Sequence, residues 1–248
     1  MLQDVLDALV AFGTIAVAGV TAWLAFSSRN TTREAYRTRV DASGPRLVVV
    51  SFDVEPQAVT VRQPAVAGAS PADVEPGLEW DMTQHGHALL GVLAFVMLTN
   101  EGARTALFRV ETPDEVELTR RPSTGGPGED LQPFLLVSAG EMGVNGWAQI
   151  LPGVQMQLGL VWWQSALRWA ELWSESSPPT TTVTLIARDT TGSVEDRCEL
   201  RFGAHVIMPK PIEDGWMTAG RSLSSGVPKP APEAVAVTGL TQRSYPAI

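Results

Sequence analysis

Cysteine is almost missing from this chain: Cys198 is the single one. That excludes an internal disulfide and any cysteine-based zinc site, and it fits a reducing compartment. Cys198 lies in an alternating run, Val194 to Phe202, so its thiol is expected to be buried. Histidine is scarce as well, three in 248 residues, and only His85 and His87 stand close together. Basic residues are outnumbered, 18 against 27 acidic, for a net charge of −9. In residues 1–44, Asp4, Asp7, Glu34 and Asp41 balance four arginines, so the rest of the chain carries the negative charge. Nucleic acid is therefore not expected as a partner, because its binding depends on a basic surface. Catalytic motifs are missing too. No G-x-S-x-G occurs, Thr124-Gly-Gly-Pro-Gly128 lacks the Lys-Ser/Thr of a phosphate loop, and no Cys/His pair has a usable context. No cofactor is expected.

Charge is wholly missing from Ala8 to Ser28, ALVAFGTIAVAGVTAWLAFSS. At the helical rise this stretch covers about 31 Å, close to the roughly 30 Å of a bilayer's hydrocarbon. It has no polar face, and Trp23 near one end suits a membrane interface. A cleaved signal peptide would carry basic residues before its apolar core and small residues at the cleavage site. Here Asp4 and Asp7 precede the core, and Trp23-Leu-Ala-Phe26 ends it. The stretch predicts an uncleaved, single-pass transmembrane helix, with the lipid bilayer as partner. Thr14, Ala18 and Ala22 form a small-xxx-small row that would let a second helix approach. Arg29, Arg33, Arg37 and Arg39 follow, and the positive-inside bias puts the C-terminal body in the cytoplasm. Arg29, Arg33 and Arg37 are four apart and line one side of a continuing helix, where they would meet anionic headgroups at the membrane surface. Ser43-Gly44-Pro45 should end that helix.

The body reads as β-structure. Leu47–Val54, Ala58–Arg62, Ala106–Glu111, Glu115–Thr119, Leu131–Ser138, Trp147–Ile150 and Val154–Val161 are strand-like runs separated by turn residues. Leu89–Leu98 is apolar throughout and is expected to be a central strand, followed by a turn at Thr99–Gly102 with Gly102 in a positive-φ conformation. Gln63–His87 and Arg121–Asp130 read as loops. Trp162–Trp173 has Trp162, Ala166, Trp169 and Trp173 on one face at 100° per residue and predicts one helix. Thr182–Arg188 and Val194–Phe202 flank Asp189-Thr-Thr-Gly-Ser193 as a hairpin. Many short antiparallel strands and little helix predict a two-sheet sandwich. From Pro209 onward proline, glycine and serine dominate, which predicts a flexible tail. Within it Val227-Pro-Lys-Pro-Ala-Pro232 has the form of a docking peptide. The expected division is therefore 1–28 anchor, 29–44 Arg-rich juxtamembrane helix, 45–208 sandwich and 209–248 Pro-rich tail.

Three groups of side chains are candidates for chemistry. His85-Gly-His87 would present both imidazoles on one side of a strand, with Glu79 or Asp81 as a third ligand for zinc or copper. Trp162, Trp169 and Trp173 would form a platform for a sugar or lipid if exposed, and a buried cap on the sandwich if not. Asp189, Glu195 and Asp196 are close in sequence, but their spacing matches no calcium loop, and Asp189–Gly192 fits a turn.

Leu98-Thr-Asn-Glu-Gly-Ala-Arg-Thr-Ala-Leu-Phe-Arg-Val110 resembles the N-x-G…A…V strand-turn-strand signature of bacterial immunoglobulin-like domains, the CARDB-type adhesion-related modules among them. The layout of an anchor, an Arg-rich stalk with Ala35-Tyr-Arg-Thr-Arg-Val40, then Pro45-Arg46 and a strand is similar to single-pass proteins of high-GC bacteria. The resemblance implies an immunoglobulin-like fold and no catalytic residues. It also implies an extracellular setting, opposite to the side the arginines favour. The functional expectation is a membrane-anchored, mainly β, immunoglobulin-like sandwich that binds a protein partner or its own copies without catalysis. The alternatives are a metal enzyme using His85 and His87, and a surface binder of sugars or envelope polymers using the tryptophans.

Overall fold

The computed structural model describes residues 2–62, 72–73, 77–119, 135–136, 146–175, 178–210, 213–219 and 234–245. In chain order these form α1 (Leu2–Ser43), β1 (Leu47–Arg62), β2 (Ala72–Asp73), β3 (Glu79–Trp80), the one-turn α2 (Met82–His85), β4 (Leu89–Asn100), β5 (Ala106–Glu111), β6 (Val116–Thr119) and β7 (Leu135–Leu136). Then follow β8 (Ala148–Ile150), β9 (Gln155–Ser165), α3 (Ala166–Glu175), β10 (Thr180–Asp189), β11 (Glu195–Ala204), β12 (Ile207–Pro209), β13 (Trp216–Thr218), β14 (Ala234–Thr238) and β15 (Gln242–Ser244).

The fold is mainly β, and its sheets are antiparallel apart from the short β7–β9 pair. One sheet runs β2-β1-β4-β9-β6, a second runs β14-β11-β10-β5-β8, and a small third runs β12-β13-β3. The two large sheets share one core. Alternate residues of β4 (Leu90, Val92, Ala94, Val96, Leu98) and β9 (Met156, Leu158, Leu160, Trp162) pack with Phe108 of β5, Val183 and Leu185 of β10, and Leu200 and Phe202 of β11. The period-2 alternation of a strand sends these residues to one face. β4 lies between β1 and β9, which is why its sequence is apolar on both faces: Leu93 and Phe95 join Val161 and Trp163 in a second cluster on the other side of the sheet.

α1 is one continuous helix, with no break at residue 28 between the apolar and Arg-rich parts. Thr21, Thr31, Thr32 and Thr38 donate their hydroxyls to carbonyls four residues back, so the helix satisfies these polar groups itself. It ends at Ser43, where Gly44 donates to Val40 O at 2.5 Å and Pro45 has no N–H to continue the ladder. Among the described residues no helix is long and apolar enough to cross a membrane. The side chains of residues 4–11, which include the start of Ala8–Ser28, lie outside that description.

Several expectations are corrected. The two runs Leu47–Val54 and Ala58–Arg62 are one strand, β1, paired with β4 through two irregularities, between Val49 and Ser51 and between Val54 and Val59. The Trp-rich helix starts at Ala166, not Trp162, because Trp162, Trp163 and Gln164 extend β9 and pair with Val92, Gly91 and Leu90. The tail is not wholly flexible: β13 pairs with β12 and β3, and β14 and β15 both pair with β11. Residues 220–233, with the proline-rich 227–232, lie outside the described residues, as do the loop glycines of 124–128. The hairpin at 189–193 is as expected. Gly192 takes φ +71°, and Asp189 accepts from the Ser193 and Val194 amides at 2.7 and 3.2 Å.

β14 and β15 act as one edge strand on β11. Thr238 lies opposite Leu200 and Gln242 opposite Arg197, so Gly239, Leu240 and Thr241 face only Cys198 and Glu199. That is a β-bulge with one extra residue. We refer to residues 234–245 as the strap.

Candidate functional site

Among the described residues, a network of polar side chains lies where α1 meets the sandwich, and two knots build it. The first is Asn100, fully buried at the end of β4. Its Oδ1 accepts from the Arg46 and Gly102 amides at 3.2 and 3.0 Å, and its Nδ2 donates to Arg104 O and Ile150 O at 2.7 and 3.1 Å. All four hydrogen-bonding positions of the amide are used. Gly102 was expected in a positive-φ conformation, and it is not among the glycines that take one. Its lack of a side chain serves close approach instead: a Cβ there would lie 2.5 Å from Arg46 N and 2.6 Å from Pro45 Cα. Asn100 and Gly102 therefore seat the chain leaving the helix directly on the β4–β5 turn.

The second knot is made by the strap. Arg243 forms a two-pronged ion pair with Asp196 of β11, Nε to Oδ1 and Nη2 to Oδ2, both at 2.7 Å. Asp196 is buried and is the cross-strand partner of Arg243 in the ladder. The same guanidinium donates to Asp41 of α1 at 2.9 Å and to Pro45 O at 3.0 Å. Tyr245 donates its hydroxyl to the Asp41 carboxylate, 2.7 and 2.8 Å from its two oxygens, and the Arg37 guanidinium lies 5.2 Å from the Tyr245 ring centre. Partial burial pushes the Asp41 carboxyl up, but the hydrogen bonds from Tyr245 and Arg243, with the charges of Arg243 and Arg37, outweigh it and hold the group below its usual range. Burial and the bond to Asp41 push the Tyr245 phenol up. The bond to Asp196 is the main cause that holds Arg243 firmly protonated.

A cleft of about 370 Å³ opens beside this knot, between the first residues of β1 and the strap, with Cys198 and Asp196 in its wall. Cys198 is buried; its thiol lies 3.5 Å from Gly239 O of the bulge, and burial pushes its pKa up. A neutral thiol of this kind is a poor nucleophile.

Of the residues singled out in the sequence, Arg37, Asp196 and Cys198 lie here and the others do not. Arg29, Arg33, Arg37 and Arg39 all lie on α1, and Arg37 is the one turned to Tyr245. His85 and His87 do not alternate on a strand. His85 closes α2 and His87 follows in a turn; both are exposed, with the His85 ring edge-on to Trp80 at 6.3 Å. The proposed third ligands are engaged elsewhere: Asp81 caps α2 through the Thr83 amide, and Glu79 pairs with Lys210 at 2.7 Å. Among the described residues no three His, Cys, Asp or Glu side chains group as a metal site would need. The tryptophans do not form an open platform. Trp162 and Trp169 are buried and meet edge to face at 4.6 Å, and Trp169 donates to Leu90 O at 2.9 Å. Trp173 is half-buried, its ring 4.1 Å from that of His205. Of the acidic trio, Asp189 holds its turn, Glu195 pairs with Arg197 and Asp196 with Arg243.

Arg243 and Tyr245 fall within the expected Pro-rich tail, and the sequence reading singles out neither. The available signal was Gln242-Arg-Ser-Tyr245 after Ala234-Val-Ala-Val-Thr238, where Arg243 and Tyr245 alternate behind a β-prone run. No protein-family model matches this chain, and no curated protein or solved structure matches it.

Proposed function

We propose that the chain is a single-pass membrane protein in which α1 crosses the bilayer and carries an immunoglobulin-like sandwich that binds a protein partner rather than catalysing a reaction. The observation that carries this reading is the apolar surface of α1. Phe12, Ile15, Val17, Val20, Trp23, Leu24 and Phe26 are 55 to 75% exposed, spread at 100° per residue over more than half the circumference. The remaining side holds Thr14, Ala18, Thr21, Ala22 and Ala25, with no charge anywhere from Ala8 to Ser28. Lipid is the partner that accepts such a helix, since water would have to solvate every one of those side chains. The arginines from Arg29 to Arg39 favour a cytoplasmic sandwich. Two antiparallel sheets around one core support the likeness to immunoglobulin-like modules. The binding role rests on where the chemistry-bearing groups are spent: Asp81, Asp189, Asp196 and Glu79 cap, turn or pair within the fold.

Carbonate extraction of membranes expressing the full chain tests the anchor. Wild type is expected to stay in the pellet. Val17→Arg, at a cost of roughly 3 kcal/mol at the centre of a span, is expected to move much of the protein to the soluble fraction. Wild-type protein released by carbonate would overturn the reading. Reporters fused after residue 248, one active only in the cytoplasm and one only outside, then decide the side.

A further inference from the structure

We infer that residues 234–245 are a detachable strap: docked on β11 they lock the stalk to the sandwich, and released they free the stalk and bare the edge of β11 in one event. Three observations lead here. First, no described residue of the strap is buried, and Leu240 at the bulge is 93% exposed. A segment with no fully buried side chain, lying against β1 and held to β11 by edge hydrogen bonds, belongs to the low-stability end of a fold and opens without global unfolding. Second, the side chains that do hold the strap are polar and converge on one point. Arg243 and Tyr245 reach Asp41 of α1, and Arg243 also holds Asp196 of β11. Undocking therefore breaks the stalk contact and the sheet contact together. Third, release returns Arg243 and the buried Asp196 to water, so neither charge is left desolvated and alone. A core strand has no such way out.

The chain carries its own reporter. Cys198 is the single cysteine, buried beneath the bulge with its thiol facing Gly239 O. The test is the rate of Cys198 modification by a maleimide on the full chain in detergent micelles, beside the thermal midpoint followed by tryptophan fluorescence. Asp41→Asn combined with Tyr245→Phe removes strap contacts at the exposed end and leaves the core untouched. The expected result is modification roughly ten-fold faster, from loss of the bond that Tyr245 donates to the ionised Asp41 carboxylate and weakening of the one from Arg243, at an unchanged midpoint. An unchanged rate, or a faster rate matched by a lower midpoint, overturns the inference. Hydrogen exchange of the wild type gives an independent reading. Amides of β11 that point to the strap must exchange faster than those that point to β10, and equal protection on both sides would also overturn it.

Discussion

β11 has a different neighbour on each side, and the two are held by different physics. Towards β10 it pairs over nine positions, Glu195–Gly203 with Thr180–Arg188, and Val183 and Leu185 carry that strand into the core. Towards the strap it pairs over eight positions, five with β14 and three with β15, yet no strap residue is buried. The backbone ladders are alike in length, so ladder length does not separate them. Side-chain burial does. An apolar side chain fully removed from water contributes about 1.5–3 kcal/mol, whereas a net hydrogen bond contributes about 1 kcal/mol. The β10 side is thus part of the cooperative core, and the strap side rests on Arg243, Tyr245 and Asp41.

The contrast can be broken most sharply from the core. Phe108→Ala removes a fully buried ring between the sheets and is expected to cost roughly 3–5 kcal/mol, read as a lower midpoint in denaturant with both edges of β11 lost together. Asn100→Ala strands the Arg46 and Gly102 amides and two carbonyls at the junction, at about 2–3 kcal/mol in the same assay. Asn100→Asp should be at least as harmful, because it puts an acceptor against the Arg104 and Ile150 carbonyls. Arg243→Ala is expected to leave the global midpoint within about 0.5 kcal/mol of wild type, since release re-solvates Asp196, while exchange of the strap-side amides of β11 quickens. If it lowers the midpoint as Phe108→Ala does, the strap is core after all. The smallest effect is that of pH. The lowered Asp41 carboxyl adds stability to docking that is present above its unfolded pKa of 3.8 and lost as pH falls through its lower folded value. The raised Tyr245 phenol adds stability that is present below 10.0 and lost as pH rises through its higher folded value. Arg243, held protonated by its bond to Asp196, keeps its charge between those limits. Docking should therefore be flat from about pH 4 to pH 9, above which the Cys198 thiol, raised by its burial beneath the bulge, begins to favour release; the check is the ring signals of Tyr245, one of two tyrosines in the chain.

The same contrast explains what the amino-acid order revealed. The core was legible because burial writes itself into side chains: the apolar run at Leu89, the alternation in β10 and β11, the Asp189–Ser193 turn and the Gly44–Pro45 helix stop all appear where expected. The strap was not, because an exposed edge strand is made by backbone pairing, which leaves no hydrophobic period to read. Trp162 and Trp163 were ambiguous for a different reason. They fit a helical face equally well, and pairing with Gly91 and Val92 decided for strand. At Gly102 the residue type was a sound signal read for the wrong cause, since the need there is room for Pro45.

The unbroken length of α1 has an electrostatic consequence in the proposed membrane setting. Residues 29–43 extend the helix by about 22 Å beyond the charge-free stretch. Surface potential decays over roughly 8 Å at physiological salt, so this distance spans more than two decay lengths. The net charge of −9 lies past the stalk, and an anionic leaflet would repel it at close range. Held off at that distance by a helix whose own base is arginine-rich, the acidic sandwich would scarcely feel the lipid surface, and the approach of a partner there would be set by that partner's own charge.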